Sequence, residues 1–201
     1  MGRIVLASAS RARASMLEAA GVAVDRMPAA IDEHAIREAL LAESVDAVEG
    51  ATILAEMKGK AVLQRLAEGG AIVLACDQLL VTEDGRWLDK PGGVDHARAQ
   101  LLDLSGHVHS LVSSVVGFRG GERIWHHVDE ARLWMRPLSE AFIDGYLNDA
   151  GDSVLQSVGC YHLEGRGAQL MTRIEGDFFT ILGMPLLPVL QFLRDQGILA
   201  R

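Results

Sequence analysis

With 201 residues, of which 49% are hydrophobic and 23% charged, the chain has the composition of a globular protein and is long enough to bury a substantial core. This composition excludes a disordered or fibrous protein. The net charge of −8 argues against broad binding to nucleic acid, which requires a basic face, but it allows a small phosphorylated ligand held by a few local cations.

The sequence shows neither an apolar run long enough to cross a bilayer nor a signal peptide ahead of the first strand. The two cysteines, Cys76 and Cys160, have neither metal-binding nor redox spacing. We therefore expect reduced thiols, a cytoplasmic location and no membrane partner. Because no repeat and no long linker divides the chain, residues 1–201 are predicted to form a single domain.

The first segment predicts a strand over residues 3–7, a hydroxyl-rich loop over 8–10 and a helix over 11–20. Ser10 is suited to cap this helix and Gly21 to follow its end. A helix N-terminus directs backbone N–H groups and the positive end of its dipole at a ligand, which suits phosphate, and Arg11 and Arg13 add charge. The alternative is that serines such as Ser8 only cap the turn. The loop is not a P-loop, because the glycines and the lysine of that motif are missing.

The next segment predicts a strand over residues 22–27, a helix from Asp32-Glu33 to Glu43 and a longer helix over residues 47–66. The carboxylate of Glu33 either complements the helix dipole or serves a site. Lys58 and Lys60 are two residues apart and therefore lie on different helix faces, so at most one of them points inward.

The stretch from Ala71 to Val81 is the predicted central strand. Residues 71–75 form an apolar run without polar interruption, which is typical of a strand covered on both faces. Asp77 follows at the end of this run, where a buried carboxylate is costly unless it is paired or coordinated. In open α/β sheets, ligands bind at the carboxyl ends of strands, so Asp77 is either a site residue or the cap of a turn.

A hairpin turn is predicted at residues 83–85, and a helix over residues 94–104. Between them Lys90 directly precedes a Pro-Gly-Gly loop. A lysine there either holds its charge over a cleft or is merely solvated.

The remaining elements are predicted as strands over residues 107–118 and 123–135, a helix from Ser139 to Asn148, a hairpin of residues 169–174 and 178–182, and a final helix from Pro185 to Gly197. His107 and His109 would share one strand face, a spacing that can bind zinc, but no third ligand follows closely.

The candidate cations Arg13, Lys58 and Lys90 are dispersed along the chain, as are the candidate carboxylates Glu33, Asp77 and Glu164. Cations that face carboxylates around a helix N-terminus suit a polyphosphate with Mg²⁺, which binds one or two carboxylates and keeps several waters. The sequence contains no nucleophile elbow, and Cys76 lies in an apolar strand. This pattern favours attack by water over a covalent intermediate.

Eight short motifs follow one another along essentially the whole chain: Leu6–Arg13 followed by Met16-Leu17, Asp32-Glu33, the helix carrying Lys58, Ala75–Gln78, Lys90-Pro91, Leu104–Gly106, Glu164-Gly165 and Gly183–Leu186. Together, and in this order, they resemble the motifs of the Maf-type nucleoside triphosphate pyrophosphatases. Each motif alone is short and unspecific. Eight of them in register make a chance match improbable.

The resemblance implies an elongated α/β fold, with a mixed sheet, flanking helices and two lobes around a central cleft, similar to inosine triphosphate pyrophosphatases. It implies cleavage of a nucleoside triphosphate between the α- and β-phosphates, with Asp77 as the proton acceptor and Mg²⁺ or Mn²⁺ near Glu33 and Asp77. It assigns substrate binding to Ser8, Ser10, Arg13, Glu33, Lys58 and Lys90, of which all but Glu33 would hold the phosphates. A homodimer is also expected from the family.

Base preference in the family is tied to three positions, which here hold Ala12, Gln78 and Glu164. Gln78 and Glu164 resemble the branch that acts on 7-methyl-GTP, where an acidic group suits a cationic base. Ala12 lacks the tryptophan with which that branch would stack on the base. The alternative function is a non-catalytic, nucleotide-binding regulator of cell division and septum formation, which the altered Arg11-Ala12 loop would support.

Overall fold

The structure, a computed structural model, describes residues 2–66 and 70–200. It confirms the predicted α/β class. In chain order its elements are β1 Ile4–Leu6, α1 Arg11–Ala19, β2 Asp25–Arg26, α2 Glu33–Ala42, α3 Ala47–Leu63, β3 Ile72–Thr82, β4 Trp87–Leu88, α4 Val94–Leu104, β5 Val108–Arg119, β6 Glu122–Met135, α5 Glu140–Ala150, β7 Met171–Glu175, α6 Phe178–Ile181 and α7 Leu186–Asp195.

In the described part of the chain, these strands form one mixed, seven-stranded sheet with the order β2-β1-β3-β5-β6-β7, and β4 pairs with β3 outside this path. Strand β1 is parallel to both β2 and β3, and Val5 lies opposite Val73. The pairs β3-β4 and β6-β7 are antiparallel. The hairpin predicted at residues 83–85 is therefore confirmed.

The sequence of β3 explains its place inside the sheet. All residues from Ile72 to Asp77 are buried, as expected for a strand covered on both faces. Strand β3 continues to Thr82, so Asp77 lies within the strand rather than at its end. The predicted central strand from Ala71 to Val81 is confirmed, but the placement of Asp77 at the end of its buried run was wrong, because the apolar residues Leu79 and Leu80 are buried beyond it.

The described chain divides into two compact units, each built from separate segments. The first contains the described residues of Met1–Gln78, Ser113–Asp129 and Gly183–Arg201, and the second contains Leu79–Val112 and Glu130–Leu182. A core cluster in the first unit brings together buried residues of β1, α3, β3 and β5: Val5, Ala7, Ala55, Val62, Val73, Ala75, Val116 and Phe118. A core cluster in the second unit includes Leu101 of α4, Leu133 of β6 and Ile143 of α5.

Side-chain caps fix the starts of several helices. The Ser10 Oγ accepts a hydrogen bond from Arg13 N at the start of α1, and Asp32 Oδ1 accepts one from Ala35 N at the start of α2. Ser139 caps α5 in the same way. Gly21, with φ of 78°, follows α1 in the left-handed conformation that glycine adopts most readily. The predicted starts of these three helices are thus explained by local chemistry.

The second strand is much shorter than the predicted 22–27. Only Asp25 and Arg26 pair with β1. The Val22 N–H donates to Leu17 O at 2.9 Å, so Val22 belongs to the turn that closes α1. A backbone group used in a helix-terminal turn is not available to a strand ladder.

The predicted C-terminal hairpin was also wrong. Residues 166–170 form a 3₁₀ helix, β7 begins at Met171, and Phe178–Ile181 is helical. Asp177 caps this helix, since its Oδ2 accepts a hydrogen bond from Thr180 N at 3.0 Å. Strand β7 pairs with β6 instead, and Gly176 lies so close that an added Cβ would be 2.7 Å from Ala131 Cα.

Smaller differences concern element ends. Helix α3 ends at Leu63 rather than residue 66, and α5 continues to Ala150. The segment after α5 contains two short 3₁₀ helices, Gly151–Gln156 and Val158–Cys160. None of the helices within residues 2–66 and 70–200 combines the length and apolar character needed to cross a membrane.

The two histidines considered for zinc have different surroundings. The His107 side chain is exposed and lies 3.4 Å from Glu83. His109 is buried, and its Nε2 is hydrogen-bonded to the Tyr161 hydroxyl at 2.7 Å. Across residues 2–66 and 70–200, no three His, Cys, Asp or Glu side chains are grouped to hold a metal ion. Burial lowers the pKa of His109 to about 4 and raises the pKa of Tyr161.

Two helical glycines provide a test of core packing. An added Cβ at Gly59 in α3 would lie 2.2 Å from the ring of buried Phe118, whereas one at Gly145 in α5 would meet nothing within 4 Å. Gly145→Ala should raise the free energy of unfolding by about 0.5–1 kcal/mol through helix propensity. Gly59→Ala should lower it by about 1–3 kcal/mol, because the overpacked core outweighs the same propensity gain. Urea denaturation measures both, and a stabilised Gly59→Ala would contradict the packing around Phe118.

His109 gives a pH-dependent prediction. Its pKa falls from 6.5 to about 4 on folding, so the unfolded chain binds a proton between these values that the folded chain does not. The stabilising effect of neutral, buried His109 is complete above pH 6.5 and decreases as the pH falls to about 4. Relative to His109→Gln, the wild type should lose on the order of 3 kcal/mol of stability across this window.

Urea titrations at several pH values measure this difference. His34→Gln serves as the control, because the His34 side chain is 73% exposed. Equal pH slopes for the wild type and His109→Gln would rule out a buried neutral imidazole.

Candidate active site

The site is built around the carboxylate of Asp77. It is 2% exposed and lies in the middle of β3. Lys58 Nζ donates a hydrogen bond to Asp77 Oδ1 at 2.5 Å. A buried carboxylate needs such a partner, because leaving water without one would be very costly. Asp77 is therefore an ion-paired residue of the sheet and does not cap a turn.

Helix α3 supplies the cation. Lys58 is only 8% exposed, whereas Lys60 is on the surface and pairs with Glu56 at 2.6 Å. The prediction that at most one of the two lysines points inward is confirmed. Lys58 Nζ also donates to Glu33 Oε2 at 2.8 Å, so it bridges two carboxylates. The structure thus brings together three of the predicted site residues: Glu33, Lys58 and Asp77.

Helix α2 adds a residue that the sequence analysis missed. Arg37 is buried, and its Nη2 lies 3.8 Å from Asp77 Oδ2. It lies four residues after Glu33 and therefore on the same face of α2. This spacing from a candidate carboxylate was the available signal. It was overlooked because a single arginine in a polar helix resembles a surface residue.

The loop after β1 is held by its own hydroxyl groups. The Ser8 Oγ accepts hydrogen bonds from Ser10 N at 3.2 Å and from Arg13 Nη1 at 3.3 Å. Ser10 caps α1, so its capping function is real, and Ser8 is buried. Whether this loop also binds phosphate stays a prediction, which the direction of the helix N-terminus supports.

Arg13 connects this loop to two other segments. Its Nε donates to Gly183 O at 2.7 Å, and its Nη1 donates to Cys76 O at 3.0 Å. Gly183 has a φ of 103°, and an added Cβ would lie 3.1 Å from Arg13 Nε. Gly183 therefore allows the close approach of the guanidinium. Gly183 belongs to the last of the eight sequence motifs, which by itself assigns this glycine no role.

Cys76 precedes Asp77 and is fully buried. Burial raises the pKa of its thiol to about 11, so it carries no thiolate at neutral pH. Both Cys76 and Cys160 are free. Cys76 thus contributes a carbonyl that anchors Arg13 and not a nucleophile.

The remaining predicted residues fall in both units. Ala12 is half-buried in α1, and Gln78 Nε2 donates to Ser113 Oγ at 3.0 Å, all within the first unit. Lys90 and Glu164 belong to the second unit, where both are exposed, and Glu164 lies 4.0 Å from His162 Nδ1. Their part in the site stays a prediction.

The donor set is chemically suited to a hard divalent cation. Glu33 and Asp77 converge on one ammonium group, and Asp77 Oδ2 is buried and accepts no hydrogen bond from the described residues. Mg²⁺ binds carboxylate oxygens and commonly uses only one or two of them together with substrate phosphates. Since no larger acidic cluster exists among residues 2–66 and 70–200, a metal here would take ligands from Glu33 or Asp77 and from the substrate.

Known proteins resemble this chain over nearly its whole length. A family model described as Maf-like protein matches residues 3–196. The chain is 50% identical over 194 residues to a nucleoside triphosphate pyrophosphatase of Granulibacter bethesdensis, covering 96% of this chain and 97% of that protein. It is 50% identical over 193 residues to one of Paramagnetospirillum magneticum, covering 96% and 98%. It is also 44% identical over 194 residues to a 7-methyl-GTP pyrophosphatase of Rhizobium meliloti, covering 96% of each chain.

The anchoring by Arg13 gives a stability prediction. Arg13 donates to Gly183 O and Cys76 O from two nitrogens of a planar guanidinium, whereas a lysine has a single ammonium group. In Arg13→Lys the free energy of unfolding should therefore fall by about 1–3 kcal/mol. Arg26→Lys is the matched control, because Arg26 donates to Ala9 O of the same loop from an exposed position. It should change stability by less than about 0.5 kcal/mol. Urea denaturation tests the pair, and equal effects would disprove a structural role for Arg13.

Proposed function

The chain belongs to the Maf-like protein family, and we propose that it is a nucleoside triphosphate pyrophosphatase that releases a nucleoside monophosphate and pyrophosphate. The resemblance of the eight motifs to this family is confirmed by the match over residues 3–196. The observation that carries the proposal is the bridge that buried Lys58 forms between buried Asp77 and half-exposed Glu33. It provides fixed charges where a polyphosphate and a water molecule would react.

In the proposed reaction, the oxygen of a water molecule attacks the α-phosphorus, and Asp77 accepts the proton of that water. The bond between the α-phosphorus and the oxygen bridging to the β-phosphorus breaks, and pyrophosphate leaves with the bonding electrons. Asp77 suits this role because Lys58 holds one of its oxygens while Oδ2 accepts no hydrogen bond from the described residues. General-base catalysis of this kind typically contributes about 10²–10⁴-fold.

The phosphates would be bound by the N-terminal loop and nearby cations. Ser8 and Ser10 lie at the start of α1, where backbone N–H groups and the helix dipole favour an anion. Arg13 and Lys58 add positive charge. Lys90 is assigned to the phosphates on the strength of the resemblance alone.

A divalent cation, Mg²⁺ or Mn²⁺, would offset the negative charge that develops on the phosphate oxygens. Glu33 and Asp77 are the residues that would hold it. Lys58 keeps these two carboxylates together, and their mutual repulsion is reduced by its charge.

Base preference is the finer part of the proposal. Gln78 and Glu164 suit a methylated guanine that carries positive charge, whereas Ala12 offers no ring for stacking. We therefore expect activity on 7-methyl-GTP or another modified nucleotide, with recognition by polar groups rather than by stacking.

The proposal takes residues 1–201 as one catalytic domain, because the family match spans both compact units. Free, buried cysteines suit a reducing cytoplasm. The homodimer expected from the family is kept as a proposal.

The reaction is tested with purified protein, Mg²⁺ or Mn²⁺, and a panel of 7-methyl-GTP, dTTP, UTP and CTP. We expect the monophosphate and pyrophosphate as the products. Asp77→Asn should lower kcat by at least about 100-fold, because the amide cannot accept the proton. Release of single phosphates would show that another bond is cleaved. Tight nucleotide binding without turnover would instead support a regulator.

Lysine variants of α3 provide the matched control. Lys58→Gln should also lower kcat, because Asp77 then remains buried without its ammonium partner. Lys60 is two residues away on the exposed face of the helix, so Lys60→Gln should retain wild-type activity. Equal activity of the two variants would contradict the assigned site.

A further inference from the structure

Arg37 is a buried cation to which the sequence motifs assign no role. It is 8% exposed, although arginine is seldom buried unless it is paired. It lies one turn after Glu33 in α2, so both side chains project from the same helix face. Glu33 accepts a hydrogen bond from Lys58, and the guanidinium of Arg37 lies near the carboxylate of Asp77.

The two cations approach different oxygens of the same carboxylate. Lys58 Nζ is 2.5 Å from Asp77 Oδ1, a hydrogen-bonding distance, while Arg37 Nη2 is 3.8 Å from Asp77 Oδ2. At 3.8 Å the guanidinium attracts Oδ2 without a hydrogen bond of ordinary length. Oδ2 therefore keeps its lone pairs while its position is held by charge.

We propose that Arg37 is a positioning residue, which orients Asp77 so that Oδ2 faces the attacking water. The inference rests on the proposed function, since it assigns Arg37 an action on the base of that reaction. With Lys58 on one oxygen and Arg37 near the other, rotation of the carboxylate about its Cβ–Cγ bond would separate at least one of these charge pairs. Two cations thus restrict the carboxylate to one orientation.

A purely structural ion pair would have different consequences. If Arg37 only neutralised the buried charge of Asp77, its removal would lower stability without a specific loss in kcat. If Arg37 bound the substrate phosphates directly, its removal would raise KM. A positioning residue acts through Asp77, so its effect on kcat must depend on Asp77 being present.

The test compares Arg37→Gln, Arg37→Lys and the control Glu38→Gln, which changes an exposed neighbour on the same helix. With the nucleotide that the wild type hydrolyses best, Arg37→Gln should lower kcat by about 10–100-fold while KM changes by less than about 3-fold. Arg37→Lys restores the charge and should recover part of kcat. Glu38→Gln should match the wild type.

The same substitution is then made in Asp77→Asn. We expect Asp77→Asn and Asp77→Asn/Arg37→Gln to have the same residual kcat within about 2-fold, since residues that act as a unit are strongly non-additive. Calorimetric titration with the nucleotide should give equal affinities for both proteins. Thermal unfolding checks that each variant is folded, and Arg37→Lys replaces Arg37→Gln in the cycle if the latter does not fold.

A full, additional loss of kcat in the Asp77→Asn background would overturn the proposal, as would an unchanged kcat in Arg37→Gln. A raised KM or a weakened affinity with constant kcat would make Arg37 a phosphate ligand instead. These outcomes are distinct from failure of the proposed function, in which the wild type itself would release no pyrophosphate.

Discussion

The ion pairs of Lys58 with Asp77 and Glu33 connect α3 to β3 and α2 in the first unit. A buried lysine is tolerated only when its charge is compensated, and here two carboxylates share that task. Because Lys58 and Asp77 come from α3 and β3, a shift between these two elements would separate two buried charges, whereas Glu33 of α2 is 45% exposed. The cost of such a separation is several kcal/mol, so the two elements are held in register by electrostatics as well as by apolar packing.

The main chain next to Asp77 is restrained by a second arginine. Arg13 donates to Cys76 O, one residue before Asp77, and to Gly183 O before α7. A carbonyl inside a strand that also accepts from a guanidinium has little freedom to move. The side chain of Asp77 is thus fixed by Lys58 and Arg37, while its backbone is fixed through Arg13. Pre-organisation of this kind lowers the reorganisation that a reaction requires.

How much the sequence could predict depended on the range of the interaction. The buried run of β3 and the cap Ser10 follow from spacing and local chemistry, and both were predicted correctly. Spacing also predicted that at most one of Lys58 and Lys60 points inward, and the motif resemblance selected Lys58. The helix at Phe178 was missed because aromatic and β-branched residues after a turn favour a strand. Asp177 caps the segment instead, and the chain is helical there.

Contacts between residues far apart in the chain could not be predicted from the sequence. The spacing from Glu33 places Arg37 on the same helix face, but it does not identify Asp77, forty residues later, as its partner. Nothing near Gly183 indicates a guanidinium against its carbonyl. The carboxylate was expected at the end of a strand because the uninterrupted apolar run stops before it, and a ligand site was inferred from that position. It lies within β3 instead, where burial demands partners. The motif resemblance located Asp77 and Lys58, and only the fold revealed Arg37.

The hydrogen bonds of Arg13 define what it can offer a triphosphate. A guanidinium has five N–H donors. Its Nε donates to Gly183 O, and its Nη1 donates to Cys76 O and Ser8 Oγ. None of these three hydrogen bonds uses the Nη2 donors. Arg13 is therefore an anchored cation, and in its proposed role as a phosphate ligand it would lose little further side-chain freedom on binding, because that freedom has already been lost on folding. A lysine at this position would have to be ordered by the substrate itself.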